Sequence, residues 1–163
     1  DFDAAVARTG SAQTRYDLFG HSAGGQIVHR MALFAREMRV RRALAANSGW
    51  YTTLAPDVPF PYGTEGVALP PDQLERAFGR ELVLFLGELD NAQETRGQLR
   101  DAPEANAQGA HRLARVRHFH AVAERERARL RMRSAWRLEI VPGIGHDYRR
   151  MGEAAAAYLY GAD

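Results

Sequence analysis

The sequence contains no cysteine, no lysine and no long hydrophobic run. Without cysteine there is no disulfide, no thiolate nucleophile and no cysteine-bound zinc. All 22 basic residues are arginine, a bias more typical of a whole genome than of phosphate contacts, so the pI of 9.3 is weak evidence for nucleic-acid binding. No apolar run approaches the roughly 20 residues of a membrane span. We expect a soluble protein that has no membrane span and binds no nucleic acid, with the cytoplasm slightly favoured as its compartment.

A length of 163 residues, with 45% hydrophobic and 26% charged residues, is typical of one globular domain. Apolar runs and chain breakers alternate so that short strands are separated by helices. This order predicts parallel pairing through right-handed crossovers, and hence an α/β sheet. The predicted strands are residues 16–19, 40–46, 82–86 and 138–141, and the predicted helices are residues 2–10, 25–38, 72–77, 111–134 and 151–160.

The first predicted strand runs into Gly20-His21-Ser22-Ala23-Gly24, which a helix follows. A serine on such a sharp strand-to-helix turn is strained and projects outward as a nucleophile. We expect a side chain at Gly20 or Gly24 to collide with neighbouring backbone. The N–H of Ala23 lies at the helix start and is aimed at a developing oxyanion. The alternative is an ordinary serine in the glycine-rich turn of a domain without enzymatic activity.

Two further motifs follow predicted strands. Glu88 and Asp90 come directly after the 82–86 strand, and His146 comes after the 138–141 strand. Open α/β sheets build their sites at the carboxyl ends of their strands, so these side chains are expected near Ser22. Asp90 is the preferred acid and Glu88 its rival.

A strand-turn-helix Gly-x-Ser-x-Gly followed in chain order by Asp and His resembles the α/β-hydrolase superfamily. The resemblance implies a three-layer fold with a mostly parallel sheet. It also implies a catalytic triad in which Ser22 attacks an acyl carbon, His146 transfers the proton and Asp90 orients the imidazole. No metal or other cofactor is expected.

The segments 45–51 and 108–112 are similar to those of bacterial polyhydroxybutyrate depolymerase-like and feruloyl-type esterases, which favours an ester substrate. Trp50 and Tyr51 follow the 40–46 strand on the expected catalytic side, so we predict that they bind substrate, with Phe60 and Tyr62 lining or covering the acyl pocket. Core packing is the alternative for these aromatic residues. The proline-rich 50–71 segment is too short for a large helical cap.

The remaining histidines and arginines have simpler interpretations. His111, His118 and His120 lack a suitably spaced carboxylate, so we predict no metal site. The arginine-rich segment 112–133 includes Glu124 and Glu126, and an exposed helix face is favoured over a nucleic-acid surface.

The sequence thus predicts a serine hydrolase that cleaves a small-molecule carboxylic ester. A serine peptidase, an acyltransferase and a catalytically silent binding domain are the alternatives, because the motif does not specify the acyl donor or acceptor. Within the superfamily, several strands precede the one that carries the nucleophile. We therefore expect residues 1–163 to be the carboxyl-terminal part of a single catalytic domain whose amino-terminal strands, and second oxyanion donor, belong to a preceding part of the same protein.

Overall fold

The computed structural model describes residues 2–161, in which four parallel strands form one sheet. The strands lie side by side in chain order: β1 (Tyr16–His21), β2 (Val40–Ala46), β3 (Glu81–Gly87) and β4 (Arg137–Val141). The helices between and around them are α1 (Phe2–Thr9), α2 (Ala23–Phe34), α3 (Pro71–Gly79), α4 (Pro103–Ala107), α5 (Arg112–Arg129) and α6 (Tyr148–Tyr160). The predicted strands and the parallel α/β architecture are confirmed.

Alternating side chains give the sheet two apolar faces. Ala45 and Leu84 belong to the larger core, which α2, α3 and α5 cover, whereas Leu44 and Val83 belong to the smaller core beneath α6. The uninterrupted apolar run of β3 follows from this arrangement, because both of its faces are buried. The result is three layers: helices, sheet and helix.

Helix ends differ most from the predictions. The second helix stops at Phe34 instead of continuing to residue 38, because Ala35 is extended and the guanidinium of Arg80 donates to the carbonyls of Ala32 and Ala35. The fifth begins at Arg112, where the ring of His111 accepts a hydrogen bond from the N–H of Ala114 and caps it. The short helix α4 has too few residues to show a periodic pattern. Within residues 2–161, no helix combines the length and apolar character needed to cross a bilayer.

Candidate active site

Four polar side chains stand just beyond the carboxyl ends of the four strands. Ser22 follows β1, Asn47 follows β2, Asp90 lies three residues beyond β3, and His146 lies on the turn after β4. Because all four strands are parallel, these positions lie together at the carboxyl-terminal side of the sheet. The structure therefore places the predicted residues at the carboxyl ends of the strands and adds Asn47, to which the sequence analysis gave no role.

The backbone of Ser22 is strained. Its φ of 58° and ψ of −114° lie outside the conformations that a serine ordinarily adopts. Its N–H donates to the carbonyl of Ala46 at 2.9 Å, which holds the turn against the end of β2. Ala23 is exposed and begins α2, so its N–H is one of the free donors of the first helical turn.

Close packing around this turn requires glycine at positions 20 and 25. A Cβ on Gly20 would overlap the carbonyl of Gly24, and a Cβ on Gly25 would lie 2.5 Å from the Ser48 hydroxyl and 2.6 Å from the Ala46 carbonyl. A Cβ on Gly24 would meet no atom of the described residues within 4 Å. The expected collision at Gly24 is therefore wrong, and Gly25 is the second glycine on which the packing of helix against strand depends.

A hydrogen bond joins the side chains of Asp90 and His146. The Nδ1 atom of His146 lies 2.8 Å from Oδ2 of Asp90, and the two side chains are 7% and 1% exposed. With Nδ1 engaged by the carboxylate, Nε2 is the nitrogen left for proton transfer. The alternative acid, Glu88, is exposed, and its Oε2 accepts the N–H of Gly143.

Two further donors hold the Asp90 carboxylate. Asn47 donates through Nδ2 to Oδ2 at 2.7 Å and also to the carbonyl of Gly145 at 3.2 Å. Arg112 donates through Nη1 to Oδ1 at 3.2 Å. Asn47 has a φ of 47°, a left-handed conformation that asparagine adopts more readily than most residues. Both oxygens of this buried carboxylate are thus engaged by side chains from separate parts of the chain.

The expectation that residues 112–133 present an exposed arginine face is wrong for the first turn of α5. Arg112 and Arg115 are 3% and 1% exposed. Arg115 donates to the carbonyls of Gly49 and Gly109 and to the side chain of Asn106, so it joins three segments around the site. Such burial is rare for arginine and depends on this set of acceptors.

The loop between β3 and α4 positions His146 from the other side. The N–H of His146 donates to Oε2 of Glu94 at 2.6 Å, and Arg96 donates to the same carboxylate from Nη2 at 2.8 Å. The pKa of Glu94 is lowered to about 2, mainly by the hydrogen bonds from Arg96 and to a smaller extent by the one from His146. Gly97, with a φ of 68°, packs so closely on the imidazole that a Cβ there would clash with it. Nothing local in the sequence marks Glu94 or Gly97.

His21 is a second imidazole in the site. Its ring centroid lies 4.6 Å from that of His146. The pKa of His21 is lowered to about 4, mainly by burial and secondly by the nearby His146. This ring is therefore neutral at pH 7. It packs against His146.

The two residues predicted to bind substrate have different surroundings. Tyr51 has no exposed surface, stacks on Phe119 with centroids 4.7 Å apart, and belongs to the larger core. This burial argues against a substrate contact for Tyr51. Trp50 is partly exposed and packs against Tyr62 and beneath the guanidinium of Arg30. Phe60 is 45% exposed and contacts Phe34.

Two solved structures resemble the chain closely. Poly(aspartic acid) hydrolase-1 from Sphingomonas sp. KT-1 is 36% identical, with a TM-score of 0.89 over 98% of this chain and 60% of that protein. LpqC, poly(3-hydroxybutyrate) depolymerase from Bordetella parapertussis, is 35% identical, with a TM-score of 0.86 over 98% of this chain and 54% of that protein. The chain belongs to the α/β-hydrolase superfamily. The predicted resemblance to polyhydroxybutyrate depolymerases is thereby confirmed.

This α/β-hydrolase chain spans little more than half the length of those two proteins. A scan against protein-family models and a search of curated proteins found no match. Within residues 2–161, no three His, Asp or Glu side chains are grouped as ligands for a metal ion.

Proposed function

We propose that the chain carries the catalytic residues of a serine hydrolase that cleaves a carboxylic ester through Ser22, His146 and Asp90. The observation that carries this proposal is the buried Asp90–His146 hydrogen bond of 2.8 Å, at the sheet edge where the strained turn presents Ser22. An ordinary serine in a turn would not require a strained backbone, and an ordinary loop histidine would not require a buried hydrogen bond to a carboxylate. Nucleophile, base and orienting acid are the three roles of this type of catalysis.

The proposed reaction proceeds through an acyl-enzyme. Ser22 Oγ attacks the ester carbonyl while Nε2 of His146 takes its proton, and Asp90 stabilises the imidazolium that forms. The tetrahedral oxyanion accepts a hydrogen bond from the N–H of Ala23, assisted by the positive end of α2. Collapse expels the alcohol, which receives the proton from His146. Water then attacks the acyl-enzyme by the same route, releases the acid and restores Ser22.

A second oxyanion donor is proposed to come from a part of the protein that precedes these residues. The superfamily resemblance implies a loop earlier in the chain as its source. The greater length of the two similar proteins supports this proposal. The same upstream part would contribute the additional strands of the domain.

An ester is the preferred substrate class because LpqC, at 35% identity, is a poly(3-hydroxybutyrate) depolymerase and its polymer is a polyester. A second candidate is amide hydrolysis, since the other similar protein is a hydrolase of poly(aspartic acid), an amide-linked polymer. An acyltransferase would use the same acyl-enzyme with an acceptor other than water. Parallel rates on matched ester and amide substrates, with product analysis by mass spectrometry, distinguish the three.

The proposal is tested by labelling the full-length protein with a fluorophosphonate and measuring p-nitrophenyl ester hydrolysis. Ser22→Ala should abolish labelling, and both Ser22→Ala and His146→Ala should lower kcat by about a thousandfold or more, because triad residues act as a unit. The double variant should cost little more than either single one. Ser11→Ala, on the loop before β1, is the matched control and should label normally. Undiminished hydrolysis by Ser22→Ala would refute the proposal, and absence of labelling in the unaltered protein would indicate a silent domain.

A further inference from the structure

Arg30 on α2 is a half-buried arginine with two buried nitrogen atoms that no described residue accepts a hydrogen bond from. Its Nε and Nη2 atoms are buried and have no hydrogen-bond partner among residues 2–161. Burial lowers the pKa of its guanidinium. Buried N–H groups without an acceptor are costly, so this position implies an acceptor that the described residues do not supply, and an anion satisfies a guanidinium best.

Three other buried or half-buried arginines have acceptors for most of their N–H groups. Arg115 is surrounded by backbone carbonyls and the side-chain oxygen of Asn106, and Arg80 is surrounded by carbonyls at the end of α2. Arg112 has Asp90 and two carbonyls and leaves only Nε unpaired. Arg30 is the exception, because its orientation is set by an aromatic ring in place of an acceptor.

That ring belongs to Trp50. The central guanidinium carbon of Arg30 lies 4.3 Å from the Trp50 ring centroid, so stacking covers one face of the guanidinium. A guanidinium whose plane is fixed in this way can donate two parallel N–H bonds to the two oxygens of a carboxylate. Trp50 in turn packs on Tyr62, and the hydroxyl of Tyr62 accepts a hydrogen bond from Arg100. A second arginine thus lies at the far end of the same aromatic pair.

The position of the Arg30–Trp50 pair relates it to the candidate active site. Trp50 follows the end of β2, at the sheet edge that carries Ser22 and His146. Arg30 lies about two helical turns after Ser22 on the same helix, and long helical side chains lean back toward the helix start. A group bound there would be separated from the scissile carbonyl by several bonds, as in the next unit of an oligomer or the far end of a diacid.

We propose that Arg30 and Trp50 form a subsite for a carboxylate carried by the acyl substrate, remote from the bond that is cleaved. This assignment rests on the proposed hydrolase function and narrows its substrate to anionic esters. The carboxylate would accept hydrogen bonds from Arg30 while the neighbouring methylene groups pack against the Trp50 ring. No bond to this carboxylate is made or broken during the reaction.

The test uses the full-length protein and two matched series of p-nitrophenyl esters. One series contains half esters of dicarboxylic acids from glutarate to sebacate, and the other replaces the free carboxylate with a carboxamide. One chain length of the carboxylate series should give a kcat/KM about ten- to a hundredfold above that of its carboxamide isostere, as expected for a charge-assisted pair. Arg30→Met should remove that preference with little change for the carboxamides, and Arg30→Lys should retain part of it. Arg133→Gln, which removes an exposed charge elsewhere, is the control and should keep the original ratio.

Binding is measured separately from turnover by titrating suberate and its diamide into the Ser22→Ala protein. Suberate should bind more tightly than the diamide, and adding Arg30→Met should remove the difference. If neither ester series is hydrolysed but suberate binds through Arg30, the hydrolase proposal fails and the subsite stands. An ester preference unchanged by Arg30→Met overturns the subsite, and so does suberate binding that is absent or independent of Arg30. A large fall in melting temperature of Arg30→Met with unchanged selectivity also overturns it, because the guanidinium would then be paired within the protein.

Discussion

Asp90 is enclosed by donors from three different parts of the chain. His146 and Asn47 share one carboxylate oxygen and Arg112 takes the other, while the side chain of Asp90 is 1% exposed. A carboxylate in this setting cannot rotate without breaking several hydrogen bonds. Glu88, in contrast, is exposed, and among residues 2–161 its carboxylate accepts the N–H of Gly143 alone. The two candidate acids therefore predict different mutational outcomes.

We expect Asp90→Asn in the full-length protein to lower kcat by about a thousandfold or more, because an amide can neither hold His146 in the required tautomer nor balance its positive charge. Glu88→Gln should keep most activity, since an amide oxygen can still accept the N–H of Gly143. Ester turnover of both variants is the measurement. Melting temperatures are recorded as well, because Asp90→Asn also leaves Arg112 without its charge partner. The reverse ranking in folded protein would transfer the role of the acid to Glu88.

At this scale the sequence predicts the positions that follow from chain order, and it does not predict contacts that depend on how a loop folds back. Ser22, Asp90 and His146 each follow a predicted strand, so parallel topology alone predicts that they meet. Glu94 belongs to a polar loop, and its contact with the N–H of His146 depends on how that loop folds back. Asn47 could have been found, because it too follows a strand at the same edge.

Helix α5 shows why burial could not be assigned from charge alone. Its buried residues include Arg112, Arg115, Phe119 and Ala123, which recur at three- and four-residue steps on one side of the helix. Charged residues are seldom buried, so an arginine-rich segment favours an exposed face. The spacing of Arg112 and Arg115 with Phe119 and Ala123 nevertheless places them on the apolar side. The acceptors that make their burial possible lie in distant loops, and the sequence does not reveal them.

The contact between α2 and the segment after β2 depends on a neutral histidine. His29 is fully buried, its Nδ1 donates to the carbonyl of Gly25 at 3.1 Å, and its Nε2 accepts the N–H of Thr52 at 3.0 Å. Burial lowers the pKa of His29 to about 3, from 6.5 for an ordinary histidine. Protonation would remove the acceptor that Thr52 needs and leave a charge in the core.

Stability should therefore fall as the solution is acidified below pH 6.5, where the unfolded chain takes up a proton that folded His29 does not. The contribution of neutral His29 to the free energy of unfolding is fully present above pH 6.5. It declines toward pH 3, by up to about 1.4 kcal/mol for each pH unit. Urea unfolding of the full-length protein between pH 7 and pH 5 measures this slope together with that of His21, whose pKa is also lowered, and the His29 variant separates the two; Glu94 titrates below this range. His29→Gln should be less stable at pH 7 and show a shallower pH dependence. His118→Gln, at a less buried histidine, is the control, and an equal slope in His29→Gln and the unaltered protein would contradict the assignment.

On the scale of the whole molecule, the consecutive strand order leaves β1 at one edge of the sheet. Within residues 2–161, β1 pairs with β2 alone. Arg41 and Arg42 on β2 hold Asp17 of β1, and these ion pairs keep the pKa of Asp17 well below its usual range. The side of β1 that faces β2 is thus firmly held. On its opposite side no described strand pairs with its backbone groups, and apolar residues of β1 such as Leu18 and Phe19 are partly exposed.

This open edge predicts how residues 1–163 behave when produced alone. Unpaired backbone along an apolar strand promotes association between copies, so we expect the isolated chain to elute as aggregates in size-exclusion chromatography. Its hydrolysis of p-nitrophenyl acetate should be at least about a hundredfold slower than that of the full-length protein, because in the proposed mechanism Ala23 is the one oxyanion donor that these residues supply. Leu18→Arg at the edge should reduce aggregation without restoring the rate, since it supplies no second donor. A monomeric 163-residue chain with the full turnover of the longer protein would show that neither a neighbouring strand nor a further donor is needed.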